Sequence, residues 1–174
     1  MIVRLLLCSL VLAGGVRAQV VRLTATRIRP ELALGTLSIT ATPSAITFAL
    51  VSGGQALGSS AIVITTTAVL TQLGTLSLYG SFSSASALVD TSGDIVPSSA
   101  VFGQCLTGSP TSFTAFTQTT PMPGASLLIY RTSSLLALTA SLANVLSLKI
   151  NLSGVPELPA GSYTGTLTLQ AQAL

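Results

Sequence analysis

The sequence "LPAGSYTGTLTLQAQAL", residues 158–174, reads as a turn followed by one regular strand. Tyr163, Gly165, Leu167, Leu169 and Ala171 share one phase of it, and Thr164, Thr166, Thr168, Gln170 and Gln172 share the other. Successive side chains of a strand point to opposite faces, so this pattern gives one packed face and one hydrated face. No charged residue interrupts it. If the strand lies at an edge, that edge must be covered within its own domain or used for pairing with another strand.

The same period of two runs through most of the chain. "GTLSITA" (35–41) aligns Leu37, Ile39 and Ala41; "AITFAL" (45–50) aligns Ile46, Phe48 and Leu50. "GTLSLYGSF" (74–82) aligns Leu76, Leu78, Gly80 and Phe82, and "VLSLKINL" (145–152) aligns Leu146, Leu148, Ile150 and Leu152. "AIVITTTAVL" (61–70) is a β-branched run. Turn signals separate these runs: "TPSA" at 42, "SGGQ" at 52, "TSGD" at 91, "TGSP" at 107, "PMPG" at 121 and "PAGS" at 159. Short strands with frequent turns predict an all-β fold, an antiparallel two-sheet Ig-like sandwich, over residues 35–174. Only "SSLLALTASLANV" (133–145) has the Leu and Ala content for a helical turn or two.

The first residues differ. Arg4 precedes an apolar run from Leu5 to Ala13, too short to span a bilayer as a stable anchor, and "VRA" (16–18) fits a signal-peptidase site. Residues 1–18 are therefore expected to be a signal peptide cut after Ala18, which makes the protein secreted, periplasmic or cell-surface. Removing Arg4 and Arg17 from the seven cations leaves five against four carboxylates, a net charge of +1. Residues 19–34, "QVVRLTATRIRPELAL", hold three of those five cations. Val21, Leu23 and Ala25 alternate there, so the segment is expected to be an edge strand or an extension, and in the latter case an assembly strand.

The inventory excludes several activities. The chain has no His, so neither a Ser-His-Asp nor a Cys-His arrangement is available. Asp90 and Asp94 are the only close carboxylate pair, and "DTSGD" (90–94) reads as a hairpin tip rather than a hydrolytic cleft or a Ca²⁺ cage. No zinc set and no phosphate loop is present, so no catalytic residue, metal or cofactor is expected. Scarce, scattered basic residues give no nucleic-acid footprint. Few aromatics, no Trp and hydroxyl-rich strand faces argue against a lipid-facing barrel. After cleavage Cys105 stands alone, either as a small buried residue or as a link between chains.

"LPAGSYTGTL TL" (158–169) resembles the closing motif of the spore coat U and archaic chaperone–usher pilin-like families, in which such a turn leads into a last alternating strand. The whole chain also looks like secreted bacterial β-proteins of unknown function. The resemblance implies a secreted Ig-like sandwich that polymerises by lending an N-terminal strand to a neighbour. It makes Tyr163 the buried tyrosine of the last strand and Gly161 the turn glycine. The disulfide usual in those families has no counterpart here.

A non-catalytic structural or surface protein follows as the expected function, with a second copy or another β-sandwich subunit as partner. The alternative is a glycan- or matrix-binding module. Its ligand contacts would be Phe113, Phe116 and Tyr130, with Tyr79. Phe113 and Phe116 also suit the core, being two of only five phenylalanines.

Overall fold

A computed structural model describes residues 17–27, 34–70, 74–120, 124–134 and 138–173. The apolar run 5–13, the cation Arg29 and the terminal Leu174 lie outside them. The chain forms β1 (Arg17–Arg27), β2 (Leu34–Thr42), β3 (Ala45–Leu50), β4 (Gln55–Leu57) and β5 (Ile62–Leu70). Next come β6 (Gly74–Phe82), β7 (Ser86–Val89), β8 (Ile95–Pro97) and β9 (Val101–Cys105). β10 (Thr114–Ala115), β11 (Ala125–Ser134), β12 (Leu138–Asn151) and β13 (Thr164–Ala173) complete the order. A single 3₁₀ turn, Ser98–Ala100, is the helical element among the described residues. No described helix is long and apolar enough to cross a membrane.

The protein is all-β and has two sheets. Sheet I runs β11-β6-β13-β1-β3, with the β7–β8 hairpin attached to β13; sheet II runs β10-β9-β12-β5-β2, with β4 beside β12. The alternation explains the faces. Leu37 and Ile39 of β2, Ile62 and Ile64 of β5 and Leu146, Leu148 and Ile150 of β12 point inward from sheet II. Leu76, Leu78, Leu127, Leu167 and Leu169 point inward from sheet I, and the two sets form one apolar core. The sheets approach closely at Gly103, where an added Cβ would lie 2.6 Å from Leu127 of the opposite sheet. β2 and β3 are nearly continuous, and the chain passes from sheet II to sheet I at Pro43–Ser44.

Three local expectations change. First, the sandwich is not wholly antiparallel: β1 runs parallel to β13, from Val20↔Thr164 to Arg27↔Ala171. β1 reaches sheet I through no hairpin of its own, so turn geometry does not set its direction. Second, β1 is not an edge strand. It pairs with β13 on one side and antiparallel with β3 on the other, from Arg17↔Leu50 to Arg22↔Ala45. Third, the stretch 133–145 contains no helical turn in its described part. β12 takes it as strand from Leu138, pairing with β5 through Leu146↔Ile62. A long ladder to a β-branched neighbour outweighs the weak helix preference of Leu and Ala.

The hairpin tip at 90–94 forms as expected between β7 and β8. Gly93 adopts φ +92, and Asp90 Oδ1 accepts from the backbone N–H of Ser92 and of Asp94, both at 2.8 Å. Both bonds are the local side-chain-to-backbone kind that make Asp a turn residue. The carboxylate is thereby committed to its own loop.

Candidate functional site

The feature with the most functional content is the seat of β1. Val21 is fully buried and Leu23 is 4% exposed, so both face the core. Val21 lies between Gly165 and Ile46, Leu23 is opposite Leu167, and Ala25 is opposite Leu169. Burying two such side chains favours docking by roughly 3–5 kcal/mol, to which two hydrogen-bonded ladders add. The seat is shaped on its far side by Gly165, where any Cβ would overlap the Ala87 carbonyl and press on Leu88. Glycine lets the β7–β8 hairpin lie against β13 just where β1 enters.

β13 is anchored before it starts. Tyr163 is 1% exposed, and its phenol O–H donates to the Pro159 carbonyl at 3.1 Å. Gly161 sits against the Asp90 carboxylate, 3.0 Å from where a Cβ would stand. The alternation of this strand is not fully two-faced. Gln170, expected to point to water, is 4% exposed, and its Nε2 has no hydrogen-bond partner. It stands opposite Tyr79 of β6, itself only 8% exposed. Tyr79 is therefore no open ligand contact.

The aromatic residues proposed as ligand contacts do not converge. Phe116 is fully buried and meets Phe82 edge-on, with ring centroids 5.1 Å apart and an interplanar angle of 67°. Tyr130 is on β11 of sheet I, partly buried against the core beside the register shift at Leu128/Tyr130. Phe113 is half-buried beside sheet II, with the Lys149 ammonium 4.8 Å from its ring centroid. The same ammonium lies 5.4 Å from the centroid of Phe102. Both rings thus present π-surface to a cation of their own chain, an arrangement of modest stabilising value. The Lys149–Phe102 pairing is absent from any local sequence pattern, because it arises from the register of β12 on β9.

Cys105 is buried. Burial pushes the Cys105 thiol up, partly offset by backbone hydrogen bonds at Thr107 and Val145. Asn144 closes this corner: its Nδ2 donates to the Thr107 carbonyl at 2.9 Å, while its Oδ1 has no partner. Asn151, the acceptor of the "NLS" sequon, is half-buried and caps a turn by accepting from the Ser153 N–H at 3.1 Å. No group of three or more metal-ligating side chains occurs among the described residues.

Compared with known proteins, the chain matches no family model, and no curated protein is similar to it.

Proposed function

We propose that this is a secreted, non-catalytic Ig-like sandwich that assembles into a coat- or pilus-like structure by exchanging β1 between copies. The single observation that carries the reading is the seat of β1: an N-terminal strand that fills an interior place between β13 and β3. Val21 and Leu23 complete the core, and residues 28–33 separate β1 from β2 along the chain. Exchange between identical chains re-forms the same contacts in trans, so the thermodynamic cost is confined to the linker and to association. The Tyr163–Pro159 hydrogen bond supports the Ig-like assignment, because such domains fasten a strand to its preceding corner in this way. Export rests on the basic, apolar and small-residue succession of residues 1–18, and cleavage after Ala18 leaves residues 19–27 of β1 to be exchanged.

Thr24 and Thr168 are ladder partners, which places their Cα atoms within disulfide range. Thr24→Cys and Thr168→Cys, carried by separate chains and mixed during refolding, should give a disulfide-linked heterodimer. Both substitutions in one chain provide the control. If the single chain closes its bond while the mixture stays unlinked, β1 belongs permanently to its own domain and the exchange reading falls. The glycan-binding alternative gains no support from the arrangement of Phe113, Phe116 and Tyr130.

A further inference from the structure

We infer that the free edge of β2 is a second, independent association surface, and that its partner is β2 of another copy, paired antiparallel across a two-fold axis. The inference comes from how the ends of the two sheets are closed. At β3, the Thr47 carbonyl accepts from the Ser59 N–H at 2.8 Å and the Thr47 N–H donates to Ser59 Oγ at 3.2 Å. At β11, Ser126 exchanges two backbone hydrogen bonds with Gln118, of 2.7 and 3.0 Å. The Leu128 N–H donates to Gln118 Oε1 at 3.1 Å, and the Ile129 carbonyl accepts from the Ser109 N–H at 2.9 Å. β11 also carries a register shift and the exposed cation Arg131. β10 is only two residues long. These are the devices by which sheet edges avoid pairing: covering loops, irregular backbone, charge and shortness.

Among the described residues, β2 has none of them between Thr36 and Thr42. It is bonded to β5 on one side, and no described residue hydrogen-bonds along its other side. Its one register shift lies at Leu34/Thr36, ahead of this stretch. No charge or proline occurs in it. Thr36, Ser38, Thr40 and Thr42 are exposed, while Leu37 and Ile39 are buried.

That pattern is complementary to itself. An antiparallel register that keeps Leu37 and Ile39 on the core side in both copies sets Thr and Ser opposite Thr and Ser on the outer side. Hydroxyl pairs of this kind are favourable across strands, and there is no charge to repel the second copy. A charged partner would gain nothing from this edge, whereas an identical strand extends both the ladder and the apolar row behind it. The two-fold contact uses up both edges and stops at two subunits. It needs neither the release of β1 nor the groove beside β13.

Inter-copy distance measurement tests this on the purified exported protein. The label goes on Ser38→Cys; Cys105 is buried and stays unlabelled. Strands ~4.8 Å apart with a rise of ~3.4 Å per residue place two such labels within about 25 Å of each other. Adding Thr40→Lys, at an exposed position, should abolish that short distance and raise the dimer dissociation constant at least about tenfold, because like charges then face each other. Circular dichroism and melting temperature should stay unchanged, and Thr36→Lys should act likewise. A strand exchange confined to β1 predicts no short distance at Ser38. Three results overturn the inference: no inter-copy distance in the short range at high concentration, a distance unaffected by both lysines, or a short distance from a Ser133→Cys label on β11 instead.

Discussion

Tyr163 donates its phenol hydrogen to the carbonyl of Pro159, four residues upstream, with the ring sealed in the core. The bond joins the turn that precedes the last strand to the interior that the strand completes. Tyr163→Phe keeps the ring and removes only the donor, so it should cost about 1 kcal/mol in urea unfolding. Tyr163→Ala should cost ~3–5 kcal/mol, since it also opens a cavity. Equal losses for the two variants would mean that the hydroxyl, not the ring, carries the stabilisation.

Gly165→Ala tests the close approach of β7 to β13. The new methyl would meet the Ala87 carbonyl, a backbone atom that cannot swing aside. A loss of about 2 kcal/mol or more is expected from such overpacking, together with weaker protection from hydrogen exchange in β1, whose Val21 is the ladder partner of Gly165. Gly154→Ala is the control, because nothing lies within 4 Å of its would-be Cβ; it should change stability by less than ~0.5 kcal/mol.

The Cys105 thiol is held above its ordinary value of 9.0 by burial. The folded protein therefore keeps the proton at pH values where the unfolded chain has lost it. This contribution to stability is fully present below the unfolded pKa and is lost as pH rises from there through the folded pKa. Unfolding free energy followed upward from pH 8 should decline, and Cys105→Ala should flatten that decline. An identical slope in both proteins would assign the alkaline loss to other groups. Alkylating reagents should reach Cys105 only on unfolding, since the side chain is fully buried.

Lys149 links two rings that the chain places in different segments. Lys149→Gln combined with Phe113→Leu in a double-mutant cycle should show a coupling of about 0.5–1 kcal/mol, fitting a half-exposed cation over an aromatic face. Phe116→Ala, in contrast, should cost ~3–5 kcal/mol, because that ring is packed edge-on against Phe82 in the core. Reversed magnitudes for positions 113 and 116 would contradict their placement.

The strands were legible because burial on one face imposes a period of two, and Leu37, Ile39, Leu146, Leu148, Leu167 and Leu169 all follow it. The turns at 52 and 91 were legible because Gly53 and Gly93 adopt positive φ, which the sequence marks with glycine. Pairing was not legible. Nothing local to Val21–Ala25 distinguishes an edge from an interior place, or a parallel neighbour from an antiparallel one, since those depend on Ile46 and Gly165, far along the chain. Gln170 and Tyr79 illustrate a second limit. Their phase marks an outward face, and whether that face stays wet depends on packing above the sheet. For the aromatic candidates, composition located rings but not their surroundings, so Phe113 and Phe116, three residues apart, ended half-buried and in the core.

The parallel ladder between β1 and β13 ties the start of the described residues to their end. During synthesis β1 is the first of the described strands to emerge, and its parallel partner β13 is the last of them. Until then Val21 has only Ile46 of β3 as a ladder partner, and the ladder from Leu23 to Arg27 waits for β13. Ladders of such large sequence separation form late and slowly. The order in which the polypeptide is made thus leaves the place of β13 beside β1 to be filled last.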